Sequence, residues 1–364
     1  MGFQDWAFKT NLAIQPVSPQ PVYPVYIDGM PPDLTIPDLT IPDLSNPNLD
    51  PSSPDSSTSL HPSLRIAVVG DVHNQWDTQD EAALYALGVD LVLFVGDFGN
   101  EAVEIVTQVA QLSMPRAIAL GNHDAWHSAT PWGRQKCPYD RSREDRVQQQ
   151  LDALGETHVG YRKQDFHAPQ ISVVGGRPFS WGGPDWKYAD FYAERFGVDS
   201  MQHSGDRIIE AAQQTQHNTL IFLSHNGPAG LGKQPEAPCG RDWQPIGGDY
   251  GDPDLQTAIQ AAKAFGKRIP LVTFGHMHHT LRHRKDCLRQ RIFLDTSGTL
   301  YLNAACVPRV IEQNSVLYRN FSVVQLIAHQ VTQVHSVWIS ACGDILRQEQ
   351  LFKQTLQPFV GVVC

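Results

Sequence analysis

The sequence predicts an α/β fold, and three observations predict it. Short apolar runs at residues 65–69, 91–95, 117–120, 220–223 and 271–274 read as buried strands. Stretches of helical periodicity separate several of them, and β-α-β-α-β units this short imply a parallel sheet with right-handed crossovers. The third observation is the chemistry at the end of each run. Gly70-Asp71-Val72-His73, Gly96-Asp97, Gly121-Asn122-His123-Asp124, Ser224-His225-Asn226 and Gly275-His276-Met277-His278 deliver carboxylates, amides and imidazoles where the chain leaves the core. Strand ends are where an open α/β sheet presents its chemistry. Five of them loaded with Asp, Asn and His read as one metal site.

Residues 1–62 differ in kind from the rest of the chain. They hold 12 of the 26 prolines and a five-residue repeat starting at Pro32, Pro37, Pro42 and Pro47. The repeat superficially resembles a pentapeptide β-helix, but proline fixes φ and removes a ladder donor in every copy. An extended, disordered polyproline-like spacer is expected over 1–62, with the folded domain at 63–364.

Within that domain, Thr78 and Glu81 have capping-box spacing, and 81–87 is an apolar-periodic helix stopped by Gly88. A second helix spans about 101–112. Residues 126–216 break the rhythm and read as an insertion. In it, Ser142 with Asp145 opens a polar helix through Leu154, 171–175 is a strand and 188–196 is helical. Sheet order resumes at Leu220. A Gly- and Pro-rich loop, 227–253, precedes a helix at 255–265. The tail is β-like at 292–294, 300–302, 321–327 and 331–339, the last alternating with the period of two of an antiparallel strand.

Composition bounds the function. With 364 residues, 41% hydrophobic and 18% charged, the chain has material for one large core or two modest ones. No apolar run approaches the roughly 20 residues that span a bilayer. The amino terminus lacks the basic-then-apolar layout of a secretory signal, so a cytoplasmic protein without membrane contact is expected. The six scattered cysteines read as reduced, structural or incidental thiols. The formal charge of −10 argues against a nucleic-acid footprint, which needs a basic face. Much of that charge is local, since residues 1–62 carry seven Asp and one Lys.

The five motifs, in this order and each after a strand, resemble the calcineurin-like metallophosphoesterase superfamily. The resemblance runs from about residue 65 to 278, and the β-rich tail fits the family's second sheet. It implies a four-layer α/β/β/α sandwich of two mixed β-sheets, with the Trp-rich insertion over the site. It also implies two divalent cations bridged by Asp97, one completed by Asp71, His73 and His278, the other by Asn122, His225 and His276. Two cations ~3.5–4 Å apart repel, which is why an anionic oxygen must lie between them. Mixed carboxylate, amide and imidazole donors suit borderline first-row metals, Mn first with Fe or Zn as alternatives. The implied reaction is in-line attack of a metal-bound hydroxide on a small-molecule phosphomonoester or phosphodiester. His123 is implied to protonate the leaving group, its ring held by Asp124.

Weaker candidates surround this set. Asn100 is in position to hydrogen-bond a phosphoryl oxygen. His279 is either a substrate contact or an exposed loop histidine, and His127 is equally open. Trp126, Trp132, Trp181, Trp186 and Trp243 line a pocket for an aromatic leaving group or form the core of a cap. Arg134, Arg141, Arg143 and Arg146 suit a solvated helix face better than a phosphate clamp. One departure is informative. The Ser/Thr protein phosphatase branch continues its second motif into Asp-Arg-Gly, whose arginine grips phosphate, whereas this chain reads Phe98-Gly99-Asn100-Glu101. The rival readings are a phosphoprotein phosphatase, which needs an open cleft, and a non-catalytic scaffold, which usually lacks the proton-donating histidine. Substrate, ester type and oligomeric state are not legible in the sequence.

Overall fold

Successive side chains on the central strands point to two different neighbourhoods, and that alternation builds the layers. Ile66, Val68, Leu91, Leu93 and Val95 share one apolar layer with Ile171, Val173, Ile221, Leu223 and Leu271. The intervening Ala67, Val69, Val92, Phe94, Leu220, Phe222 and Val272 pack instead with Leu84, Val106, Ile208, Leu255 and Ile259 of the helices. Two sheets therefore meet face to face and carry helices on their outer faces, the four-layer arrangement expected. Each fully buried side chain of this kind contributes roughly 1.5–3 kcal/mol. The computed structural model describes residues 63–355, so the proline-rich spacer expected at 1–62 lies outside the described residues.

In chain order the elements begin β1 (Ser63–Val69), α1 (Thr78–Leu87), β2 (Leu91–Phe94), α2 (Val103–Ala110) and β3 (Arg116–Ile118). Next come α3 (Trp126–Ala129), α4 (Pro131–Gln135), α5 (Arg146–Leu154), β4 (Lys163–Phe166), β5 (Ile171–Gly175), α6 (Ala189–Phe196) and α7 (Met201–Gln213). The chain continues through β6 (Thr219–Leu223), α8 (Pro253–Ala264), β7 (Arg268–Phe274), β8 (Ile292–Leu294) and β9 (Leu300–Asn303). It closes with β10 (Val310–Gln313), β11 (Val316–Ile327), β12 (Gln330–Ser340) and β13 (Ile345–Lys353).

The first sheet runs β13-β12-β11-β1-β2-β3, with β10 paired to β11. Its β1-β2-β3 part is parallel, and β11 joins β1 antiparallel. The second sheet runs β4-β5-β6-β7-β9-β8, parallel from β5 to β9 with an antiparallel strand at each edge. The tail expected in the second sheet is thus divided. β8 and β9 join that sheet, while β10 to β13 extend the first, because β11 completes the free edge of β1. The stretch expected as an insertion is narrower too. Residues 126–216 supply β4 and β5 to the second sheet and α7 to its helix layer, so the polypeptide outside the framework is chiefly 126–145 and 176–188.

Two helix starts differ from expectation. Asp77 caps α1 by accepting from Gln79 N at 2.8 Å, and Asp80 answers from the third position. Asp145 itself caps α5, accepting from Gln148 N at 2.9 Å. Helix α7, not anticipated, opens at Ser200 and packs on α8 through Ser204, Gly205, Ala211 and Ala212. Buried Arg309 reaches Asp80 at 2.6 Å and buried Arg319 reaches Asp77 at 2.8 Å, fastening α1 to the tail strands. The five described cysteines are free thiols, and no helix among the described residues is long and apolar enough to cross a membrane.

Candidate metal centre

The five polar strand ends converge because the parallel strands of both sheets finish at the same side of the sandwich. Asp71 and His73 follow β1, Asp97 follows β2, and Asn122 follows β3. From the second sheet, His225 follows β6, and His276 and His278 follow β7. The backbone is unusual here: His73, Asp97 and His276 have φ of 44°, 54° and 64°. Non-glycine residues held in this left-handed region cost about 1–3 kcal/mol each and cluster at functional sites. Two motif glycines permit close approach. A Cβ on Gly121 would stand 2.3 Å from Asp97 Oδ1, and one on Gly275 would stand 2.0 Å from Asp71 Oδ1.

The ligand atoms form two groups. In the first, His278 Nε2 lies 3.2 Å from Asp71 Oδ2 and 3.2 Å from His73 Nε2. In the second, His225 Nε2 lies 2.9 Å from Asn122 Oδ1, 3.2 Å from His276 Nδ1 and 3.3 Å from Asp97 Oδ1. Asp97 faces both, since its Oδ2 is 3.8 Å from His73 Nε2. The tautomer of His225 follows from its other nitrogen. Val95 O, 2.8 Å from Nδ1, can only accept, so Nδ1 carries the hydrogen and Nε2 turns a lone pair inward. Lone pairs of an imidazole, an amide oxygen and a carboxylate then face one another in a buried space. A cation satisfies that arrangement, and these residues fit one.

Electrostatics agree. Burial works to raise the Asp71 carboxyl, but the His278 hydrogen bond and the neighbouring histidine charges hold it below the usual carboxylate range. Burial likewise opposes the ionised form of Asp97, and His225, His123 and His73 outweigh it. Burial, and then the repulsion that a proton here would meet from one on His225, drives His276 well below the ordinary imidazole value, leaving a neutral donor. Burial also lowers His123 to about 4.

Asp71, His73 and His278 bring their donor atoms within 4.8 Å of one another, and so do Asp97, His225 and His276. The calcineurin-like phosphoesterase family model matches residues 64–280, more than half of the chain. This chain belongs to that family. As a calcineurin-like phosphoesterase it is a metal-dependent hydrolase of phosphoesters. No curated protein is similar enough to it to count as a match. Among solved structures, a protein of Thermus thermophilus is 11% identical, covers 79% of this chain and 99% of its own, and has a TM-score of 0.39. A purple acid phosphatase from yellow lupin (Lupinus luteus) seeds is 15% identical over 79% of this chain and 53% of its own, with a TM-score of 0.38. A metallophosphoesterase from Sphaerobacter thermophilus is 17% identical over 72% and 84%, with a TM-score of 0.31.

Around the phosphoesterase motifs, several expected roles change. Asp124 does not hold the ring of His123. It is buried, and its carboxylate accepts the backbone amides of Asp97 (2.9 Å), Phe98 (2.9 Å) and Gly121 (2.7 Å), which ties the second motif to the third. The ring partner is Asn100, whose Oδ1 lies 2.6 Å from His123 Nδ1. His279 is a buried structural histidine bonded to Asn303 O at 3.0 Å, so the expected substrate contact is withdrawn. His127 is buried against Gly133 O. Glu101, at the place of the missing arginine, is buried and turned onto Ser128 and Tyr139. It accepts from Ser128 N at 2.7 Å and from the Tyr139 hydroxyl, anchoring the segment that carries Trp126. Arg134 binds Ser128 O, Arg143 pairs with Asp140 and Arg146 with Glu144, so none of these forms a phosphate clamp.

The tryptophans separate. Trp126 stacks on His123, ring centroids 5.1 Å apart and 12° from parallel, and Trp132 meets Trp126 edge-on at 5.9 Å. Trp181 packs on Tyr188, Trp186 on Tyr192 and Trp243 on Tyr250. Sequence reasoning missed Asn303, which donates to Met277 O at 2.8 Å and supports the His276–His278 turn. Its signal was available: Asn303 ends the apolar run of β9 as the other polar residues end theirs.

Proposed function

We propose that this phosphoesterase hydrolyses a small-molecule phosphomonoester or phosphodiester at a dinuclear centre, with His123 as the proton donor to the leaving group. The observation that carries the dinuclear part is Asp97, whose two oxygens face His73 on one side and His225 on the other. Asp71, His73 and His278 would hold one cation and Asn122, His225 and His276 the other, with Asp97 shared. When bound, such cations neutralise charge on the phosphoryl oxygens and acidify water. The absence of thiolate makes Mn the first metal to load, with Fe or Zn next.

The chain's own residues do the rest. Asn100 accepts from Nδ1 of His123, which leaves Nε2 to carry the proton that is given up; burial opposes that proton, and the anionic phosphoester beside it supplies the charge that favours it. Trp126 on one face and His73 edge-on at 5.0 Å keep the ring from turning. His123 Nε2 therefore sits at the border of the donor groups, where the departing oxygen would leave.

The test is His123→Ala at matched metal occupancy. Turnover of an ester with a poor, alkoxide-like leaving group should fall by ~10²–10⁴. A nitrophenyl ester needs little proton donation and should lose much less. The ring of His123 also lies within ligand distance of His73 and Asp97, so metal content is measured alongside. Loss of a cation, or equal losses on the two esters, would remove the proton-donor assignment.

A further inference from the structure

We infer that Trp126 and Trp132 form an aromatic shelf that receives a planar ring on the leaving group, so that the substrates of this centre are aryl, arylmethyl or nucleoside phosphoesters. The inference rests on the proposed role of His123, because Trp126 stacks on that residue. Trp126 lies flat on His123, and Trp132 closes on Trp126 at 78° while remaining 44% exposed. An indole that open on an ordered surface offers a large, rigid face at little entropic cost.

The segment is built to hold those rings. Thr130 Oγ1 donates to Trp126 O at 2.9 Å and accepts from Gly133 N at 2.8 Å. Glu101 fixes Ser128 and Tyr139 from below, and Arg134 Nε binds Ser128 O at 2.8 Å. Gly133 passes so close that a Cβ there would stand 2.0 Å from Trp126 O. Charge points the same way. The arginine that would grip a second phosphoryl oxygen is replaced by a buried glutamate. Arg134, Arg143 and Arg146 are bound to Ser128, Asp140 and Glu144. Arg141 and Arg143 stay exposed to solvent rather than fixed at the site, so the face beside His123 offers a π surface and not a built phosphate clamp, which suits a planar ring.

Benzyl phosphate and cyclohexylmethyl phosphate present similar alkoxide leaving groups and differ in the ring. The metal-loaded protein should favour the benzyl ester about 2- to 10-fold in kcat/KM, the range of one aromatic pair. Trp132→Ala should erase the preference and Trp132→Phe should keep most of it. Adenosine 5′-monophosphate against ribose 5-phosphate asks the same of a nucleobase. Benzylphosphonate and cyclohexylmethylphosphonate give a binding arm by tryptophan quenching that needs no turnover. Tighter benzylphosphonate binding without hydrolysis of any ester would uphold the shelf and sink the proposed reaction. Equal kcat/KM for each ring pair, or a preference that survives Trp132→Ala, would overturn the shelf alone.

Discussion

Replacing Asp124 separates two roles for one carboxylate. Its Oδ2 accepts from Asp97 N and Gly121 N and its Oδ1 from Phe98 N, all three amides buried. In Asp124→Asn the side-chain oxygen takes the place that serves two amides, and the new NH₂ faces the Phe98 N–H. One bond is lost and two donors confront each other, about 2–4 kcal/mol when a buried group goes unsatisfied. Asp124→Ala strands all three donors; water re-entering the vacated space recovers part, leaving about 3–6 kcal/mol. For a domain of this size each kcal/mol moves the melting point by about 2 °C, so the shifts should be about 4–8 °C and 6–12 °C. Calorimetry on chelated protein isolates the loop effect from metal binding. On the metal-loaded protein, poor and good leaving groups should then lose turnover alike, since the motif loops move together. An Asp124→Asn protein that melts within about 1 °C of its parent, yet loses turnover only on poor leaving groups, would return the residue to the ring of His123.

Asp97→Ala should leave the chain without either cation, and full retention by mass spectrometry or atomic absorption would end the shared-ligand assignment. Glu101→Arg should cost several kcal/mol and raise amide exchange at Ser128 without creating phosphoprotein phosphatase activity, because the side chain points into the protein; a gain of that activity would contradict the placement. Burial lowers His158 to about 3 from an unfolded value of 6.5. A depressed folded value means that this histidine charges on unfolding, so stability is complete above about pH 6.5 and falls as pH drops toward 3, by roughly 1.4 kcal/mol per unit. His158→Phe should take roughly 1.4 kcal/mol per unit off the pH slope of the chelated protein between pH 6.5 and 5, leaving the share of the other depressed histidines such as His279, and an unchanged slope would refute this.

The strand ends were legible because local signals coincide: an apolar run, a ligand-type side chain and, in four of the five, a glycine that turns the chain. Asp71, Asp97, Asn122, His225, His276 and His278 needed nothing from distant sequence. The rest depended on partners the sequence does not pair. Asp124 is defined by amides up to 27 residues away, and Glu101 by a hydroxyl 38 residues away. Helix α7 was hidden because its first half, through Arg207, is almost wholly polar, and its buried apolar residues Ile208, Ala211 and Ala212 fall in the second half. β4 and β13 are edge strands, half solvated, whose Lys, Gln and Glu mask the period of two. Local periodicity marks what the core buries, whereas capping, anchoring and ring orientation are settled by contacts across loops.

The donor set is divided between the two sheets, which face each other chiefly through the apolar side chains of the layer between them. A cation held by donors from both sheets would act as a rivet through two plates. Metal uptake is then linked to the sliding of one sheet against the other, and anything that loosens the layer of Val95, Leu223 and Leu271 between them will weaken metal retention without touching a ligand. Chelation should in turn speed amide exchange along the facing strands β2 and β6, which lead into Asp97 and His225.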